Sequence, residues 1–180
     1  MRGCSLTLLL PLVTLMAADH GFGPLPPTPV PAVAVTNQDG VQQKLSDVVR
    51  GKAVAVQFIF SSCATACPLL GSTFSSIQKK MDTGRDSWML LSVSVDPEHD
   101  GPAELKKWLG RQHAGVNWQA VTTSREATVQ ILAAFGQKPG PVTNHSAQVF
   151  FINKSGEIVS RTTPLPDAEA VARELTLRAR

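Results

Sequence analysis

Continuous apolar runs and amphipathic segments alternate along most of this sequence. The runs at 53–60 and 88–95 are β-prone and almost entirely apolar, which predicts strands that are buried on both faces. Between them, the three-and-four spacing of Leu70, Phe74 and Ile77 predicts a helix over 68–81 with one buried face. The other predicted elements are strands at 32–36, 41–44, 118–122, 148–152 and 157–161, one helical turn at 46–51, and helices at 102–113, 125–135 and 168–178.

Two tight turns and the order of the elements define the expected fold. Asp39-Gly40 joins the first two strands and Ser155-Gly156 joins the last two, so each pair is predicted to form a hairpin. An interior strand followed by strand–helix units, a late hairpin and a closing helix is typical of an α/β protein. The sequence therefore predicts a thioredoxin-like fold, in which helices flank a central mixed sheet, with an N-terminal β-hairpin extension.

The N-terminal region is predicted to hold a targeting segment and a linker. Residues 1–18 combine an early Arg2, an apolar stretch and small residues near a cleavage point, as in a secretory signal peptide. The stretch is shorter than the ~20 residues that span a bilayer, so cleavage is favoured and a retained anchor is the alternative. Residues 19–31 are rich in proline and predict an extended linker, which leaves 32–180 as the folded domain.

The composition fits one folded domain and excludes several classes of protein. The 180 residues are 43% hydrophobic and 17% charged, which is too apolar for a disordered chain. A net charge of +3 with scattered basic residues argues against a nucleic-acid partner. Three cysteines are too few for a disulfide-stapled scaffold, and Cys4 lies in the leader. Cys63 and Cys67 therefore each need a chemical explanation.

Cys63 and Cys67 lie where a predicted strand passes into a predicted helix. A sulfur near the positive end of a helix is favoured as thiolate, and Pro68 suits the first helical position, which predicts Cys67 as the N-cap. The three intervening residues make a loop wide enough for both sulfurs to bind one metal ion. The same loop can instead close a disulfide.

His145 is the candidate for a third metal ligand. It precedes the strand predicted at 148–152, and in a thioredoxin-like fold that loop faces the cysteine loop. Two thiolates suit Cu(I), an added imidazole suits Cu(II), and the same donors with one open position also suit zinc. A three-ligand site with an open edge would allow a protein to pass the metal on.

The chain resembles the Sco/SenC family of copper-handling proteins. The resemblance covers roughly 32–159, and its motifs match in order and spacing. They are Cys-x-x-x-Cys-Pro at 63–68, Ser94-Val95-Asp96-Pro97 followed by Asp100 and Pro102, and His145-Ser146 followed by Phe150–Ile152 and Gly156. The chain departs from the family in the cysteine loop, where Pro usually follows the first cysteine and an acidic residue is usual, whereas Ala64, Thr65 and Ala66 are small and neutral. It also departs at Asn144, where an Asp commonly precedes the His.

The resemblance implies a function, a ligand set and partners. It implies a copper metallochaperone that binds Cu(I), Cu(II) or both through Cys63, Cys67 and His145. It also implies that the protein assists assembly of the binuclear copper site of cytochrome c oxidase. The expected partners are the oxidase subunit that carries this site and a copper donor protein or thiol reductant. The leader predicts export to the periplasm, with possible tethering to the outer face of the inner membrane.

Two other functions remain open for the cysteine pair. A thiol:disulfide oxidoreductase, acting on exported or oxidase-subunit cysteines, would use one cysteine to attack and the other to resolve the mixed disulfide. A purely structural disulfide would leave the protein without redox or metal chemistry. Copper transfer should depend on His145, whereas dithiol exchange should largely survive its replacement.

Overall fold

A mixed eight-stranded sheet organises the computed structural model, which describes residues 21–81, 86–141 and 146–180. Its strands are β1 (Phe22–Pro29), β2 (Ala34–Asn37), β3 (Gln42–Lys44), β4 (Ala53–Ile59), β5 (Trp88–Ser94), β6 (Trp118–Thr122), β7 (Phe150–Ile152) and β8 (Glu157–Thr162). The helices are α1 (Leu45–Val49), α2 (Ala66–Lys80), α3 (Pro102–Arg111), α4 (Arg125–Ala134) and α5 (Ala168–Ala179). The predicted α/β class, with helices flanking a central mixed sheet, is confirmed.

Three parallel strands form the centre of the sheet, whose order is β1-β8-β7-β4-β5-β6-β2-β3. Every residue of β4 and β5 is buried, because helices cover both faces of these strands, as the apolar runs predict. β7 pairs antiparallel with β4, and Phe150 lies opposite Val56. The predicted hairpins form β2–β3 and β7–β8. The first of them extends the sheet beyond β6 as the N-terminal extension.

Two hydrophobic clusters lie on opposite faces of the sheet, since side chains of a strand alternate between its faces. One cluster joins α2, α3 and α5 to the sheet and contains Cys67. It also contains Trp88, Trp108 and Trp118, so the three tryptophans are core residues. The other cluster includes Phe58, which packs edge-on against Phe135 and Phe150 at ring-centroid distances of 5.3 and 5.7 Å.

The proline-rich segment differs from the unpaired linker that the sequence predicts. It is extended, but Phe22–Pro29 forms β1 and pairs antiparallel with β8 at the edge of the sheet. An edge strand tolerates proline because one of its two sides has no neighbouring strand to which backbone N–H groups must donate. The pairing register with β8 shifts between Pro24 and Thr28. The Phe22 ring packs 5.7 Å from that of Phe151 and attaches the segment to the core.

The predicted leader at 1–18 lies outside the described residues. Across 21–81, 86–141 and 146–180, no helix has both the length and the apolar character needed to cross a membrane.

Candidate functional site

The loop between β4 and α2 carries both candidate cysteines. β4 ends at Ile59 and α2 begins at Ala66, so Cys63 lies in the loop and Cys67 lies in the first turn of the helix. The prediction that Cys67 caps the helix is therefore wrong, because the helix starts two residues before Pro68. Thr65 occupies the N-cap position, and its side chain makes no capping hydrogen bond.

The sulfur of Cys63 meets the N-terminus of α2. The backbone N–H of Cys67 donates to Cys63 Sγ at 3.4 Å, and Thr65 Oγ1 lies 3.7 Å from the same sulfur. A helix leaves its first N–H groups without intrahelical acceptors, so Cys63 Sγ takes the place of a capping side chain. Both cysteines are thiols, with Cys63 partly exposed and Cys67 at 0% exposure.

The two thiols have opposite pKa shifts. Partial burial works to raise the pKa of Cys63, but hydrogen bonds from the Cys67 thiol and from backbone N–H groups outweigh it, so the pKa is lowered. Burial, followed by the hydrogen bond to Cys63, raises the pKa of Cys67 to about 12. At neutral pH, Cys63 is therefore the more nucleophilic sulfur, and Cys67 holds its proton.

The start of the cysteine loop is fixed by residues from the α3 side. The backbone N–H of Ser61 donates to both carboxylate oxygens of Asp100, at 3.1 and 2.9 Å. Arg111 Nη2 donates to the Ser61 carbonyl at 3.0 Å. The sequence places Asp100 in a family motif without indicating its role, and no sequence feature singles out Arg111. The sequence feature that could indicate a role for Asp100 is its position four residues after Asp96, in the segment that follows a buried strand.

His145 lies outside the described residues, so its position relative to the cysteines stays a prediction. The chain on its C-terminal side is firmly attached to the sheet. Ser146 Oγ donates to Gln148 Oε1 at 2.7 Å, and Gln148 Nε2 donates to the Thr162 carbonyl at 2.6 Å. Because β7 runs antiparallel to β4, residues 146–149 extend along the sheet toward the edge at which β4 ends.

Asp96 and His99 lie in the segment after β5, on the same edge of the sheet. The sequence predicts that Asp96 orders its loop and that His99 is solvated. Asp96 Oδ1 lies 2.9 Å from His99 Nδ1, and the Asp96 carbonyl accepts from the N–H groups of His99 and Asp100. His99 is exposed, with a side-chain exposure of 74%, and both expectations are confirmed.

The described residues supply two soft donors but no complete metal site. Within 21–81, 86–141 and 146–180, no three His, Cys, Asp or Glu side chains come together in a way that could hold a metal ion. Cys63 and Cys67 supply two thiols at the start of α2, where the backbone N–H of Cys67 donates to Cys63 Sγ. This pair can bind a thiophilic ion once deprotonated, or exchange with a disulfide, and a further protein ligand would come from another segment.

Comparisons with known proteins match most of the described residues. The family model described as SCO1/SenC matches residues 31–179. The SCO1 protein homolog of Bacillus subtilis (strain 168) is 28% identical over 131 residues, which cover 68% of this chain and 67% of the homolog. The crystal structure of a SCO1/SenC family lipoprotein from Bacillus anthracis str. Ames matches with a TM-score of 0.75 at 24% identity, covering 87% of this chain and 98% of that one. The structure of Bradyrhizobium japonicum ScoI with copper bound matches with a TM-score of 0.68 at 20% identity, covering 85% and 98%.

Proposed function

Since the chain belongs to the SCO1/SenC family, we propose that it is a copper metallochaperone that binds one copper ion through Cys63, Cys67 and His145. The observation that carries this proposal is the pair of thiols at the start of α2, where the backbone N–H of Cys67 donates to Cys63 Sγ, within the matched family region. The copper-bound Bradyrhizobium japonicum ScoI, which shares the fold, supports copper as the metal. We further propose that the ion is delivered to the binuclear copper site of cytochrome c oxidase.

The sulfur pair suits copper that is received and then released. Cu(I) prefers thiolates, and Cu(II) gains from an added imidazole. Because both thiols must lose their protons to bind the ion, binding releases protons, and the high pKa of Cys67 makes that loss the harder one. A site with three protein ligands leaves an open position through which an acceptor ligand can enter, so the copper moves by ligand exchange while the cysteines stay reduced.

The proposal for His145 rests on the direction of the chain before β7. Phe150 pairs opposite Val56, and the antiparallel register directs the preceding segment toward the end of β4. The cysteine loop leaves the sheet at that same end. A ligand that precedes Ser146 can therefore approach the two sulfurs without crossing the sheet.

We propose that the protein acts after export. The segment 1–18 has the features of a secretory leader, and β1 begins only at Phe22. The lipoprotein from Bacillus anthracis shares the fold and supports a location outside the cytoplasmic membrane. Its proposed partners there are the oxidase subunit with the copper site, a copper donor and a thiol reductant.

The first test is an anaerobic titration of the reduced protein with Cu(I) and Cu(II). We expect one tight equivalent and, with Cu(II), a thiolate-to-copper absorption band. C63A, C67A and H145A should each lose this band and weaken binding by more than about tenfold. His99 is the matched control, because it is an exposed histidine on the same sheet edge, and H99A should keep both band and stoichiometry.

Two results would contradict the proposal. The first is the absence of stoichiometric copper binding by the reduced protein, and the second is unchanged binding in H145A. A parallel titration with Zn²⁺ separates a copper site from a general thiolate site, because zinc produces no such absorption band.

The asymmetric thiols favour thiol:disulfide exchange as a second candidate function. The Cys63 thiolate would attack a partner disulfide, form a mixed disulfide and release one partner thiolate. The Cys67 sulfur, after losing its proton, would attack Cys63 Sγ and release the second partner thiol. The partner disulfide is thereby reduced, the Cys63–Cys67 pair is oxidised, and an external thiol reductant restores it.

The two functions differ in their dependence on His145. We expect H145A to abolish copper transfer and to leave the rate of reduction of a model peptide disulfide within about threefold of wild type. C63A should abolish both activities. Retained copper transfer together with lost disulfide reduction in H145A would reverse this assignment.

A further inference from the structure

The backbone on both sides of Ser61 is held by side chains from the α3 region. The 60–61 peptide donates its N–H to Asp100, and the 61–62 peptide accepts a hydrogen bond from Arg111 through its carbonyl. The carbonyl of the 60–61 peptide accepts from the N–H of Cys63 at 3.1 Å. One planar peptide unit therefore connects the Asp100 carboxylate to the backbone of Cys63.

Asp100 is itself fixed from the other side. It is 1% exposed, and Ser94 Oγ donates to its Oδ2 at 2.7 Å. Its own N–H donates to the Asp96 carbonyl at 2.9 Å. Burial of a carboxylate costs free energy unless hydrogen bonds compensate for it. Both carboxylate oxygens of Asp100 accept hydrogen bonds. The end of β5 and the turn before α3 therefore determine the orientation of the carboxylate.

These contacts restrict the loop just before the functional sulfur. Cys63 is the second residue after Ser61, and its sulfur has to reach the N–H of Cys67 at the start of α2. Because β4 and β5 are buried neighbours in the sheet, the clamp from Ser94 through Asp100 to Ser61 gives the loop a rigid reference. A loop fixed in advance loses less conformational entropy when its two sulfurs come together on one ligand.

We propose that Asp100 is a positioning residue for the Cys63–Cys67 pair, with Arg111 as a second, weaker clamp. Asp100 acts through the 60–61 peptide and contacts no substrate. Its relevance to copper rests on the proposed function, but its effect on the pair is measurable without any metal.

The test measures the equilibrium between the Cys63–Cys67 dithiol and its disulfide in glutathione buffers. If the clamp holds the sulfurs together, D100A should lower the equilibrium constant for disulfide formation about tenfold, which corresponds to about 30 mV for this two-electron couple. D100N keeps an oxygen acceptor for the Ser61 N–H, so it should fall between D100A and wild type. R111A changes an exposed side chain and should lower the constant by about threefold.

Asn37 provides the matched control for lost stability. It is also buried, and its Oδ1 accepts two backbone N–H groups, from Asp39 and Val41, in the β2–β3 turn. N37A should therefore destabilise the fold as D100A does, while leaving the disulfide equilibrium unchanged. This comparison separates positioning from general destabilisation.

The measured equilibrium constants decide whether Asp100 positions the cysteine pair. An unchanged equilibrium constant in folded D100A overturns the proposal, as does an equal shift in N37A. If D100A does not fold, R111A decides: a shift supports the clamp, and wild-type behaviour overturns it. Cu(I) affinity, measured by competition with a chelator, should fall about tenfold in D100A. A shifted disulfide equilibrium in a protein that binds no copper would uphold the positioning role and reject the metallochaperone function.

Discussion

The hydrogen-bonded side chains of Asp96 and His99 lie in the segment after β5 that also contains Asp100. The hydrogen bond and charge of Asp96, followed by the charges of Glu98 and Asp100, raise the pKa of His99 above its ordinary value. The His99 side chain is largely exposed, so water and salt screen this interaction. It nevertheless makes the segment after β5 sensitive to pH in the neutral range, where a histidine titrates.

We predict that His99 titrates above 6.5 and that D96N brings its pKa back toward the ordinary value. Because the pKa is higher in the folded than in the unfolded protein, the contribution to stability is full below the unfolded pKa. It is lost as pH rises through the folded pKa. The difference in unfolding free energy between wild type and H99Q should therefore be larger near pH ~5.5 than near pH ~8.5. NMR titration of the imidazole and denaturant unfolding at both pH values check this, and a wild-type midpoint at or below 6.5 would contradict it.

Individual residues differ in how far the sequence reveals their roles. Cys63 and Cys67 can be predicted because cysteines are rare here and their spacing across a strand–helix junction is informative. Asp100 cannot be predicted as a clamp, because its partner is the backbone N–H of Ser61, and a backbone group leaves no pattern in the sequence. The expectation for His145 stays a prediction.

At the scale of elements, the start of α2 differs from the position that proline propensity predicts, because a side chain from the preceding loop contacts the first turn. Pro68 favours the first helical position, and the sequence therefore predicts a helix from 68. The helix starts at Ala66, because Cys63 Sγ folds back from the loop and accepts the N–H of Cys67. The contact at the first turn involves the sulfur of Cys63, and cysteine is not among the side chains that propensity rules for capping consider.

The edge strand β1 is the element that sequence reasoning missed. Its prolines suggest a spacer, whereas its pairing with β8 depends on a partner more than a hundred residues away. We predict that F22A lowers the free energy of unfolding by about 1–2 kcal/mol, less than the ~3–5 kcal/mol of a fully buried phenylalanine. The reason is the lost packing of the half-buried ring on Phe151. Urea unfolding followed by circular dichroism measures this difference.

Val116 is the control for this substitution, because its side chain is 86% exposed. V116A should change stability by less than about 0.5 kcal/mol. If F22A is equally neutral, the Phe22 ring contributes no packing energy, and only the pairing with β8 attaches β1 to the domain.

At the scale of the whole molecule, the strand order explains how distant segments reach one sheet edge. The apolar runs allow the parallel pair β4–β5 to be predicted, since both strands are continuously buried. The sequence does not specify that β7 inserts beside β4, because strand pairing depends on long-range packing rather than on local propensity. That insertion brings the chain before β7 toward the cysteine loop, so the candidate site depends on the topology as much as on its residues.

A buried polar contact crosses the three parallel strands. Gln57 Nε2 on β4 and Trp118 Nε1 on β6 both donate to Ser92 Oγ on β5, at 3.0 and 2.9 Å. S92A would leave both donors buried without this acceptor, so we predict a loss of about 1–3 kcal/mol. Chemical denaturation of the reduced protein measures it.

Gln57 allows a complementary substitution that removes an unsatisfied buried atom, because its Oε1 has no hydrogen-bond partner among the described residues. Q57M keeps the volume, removes this unsatisfied atom and should change stability by less than about 1 kcal/mol. The double variant should lose less than the sum of the single losses, because S92A then leaves only Trp118 Nε1 without its acceptor. Strict additivity would mean that Gln57 and Ser92 contribute independently, and that the hydrogen bond between them adds nothing to stability.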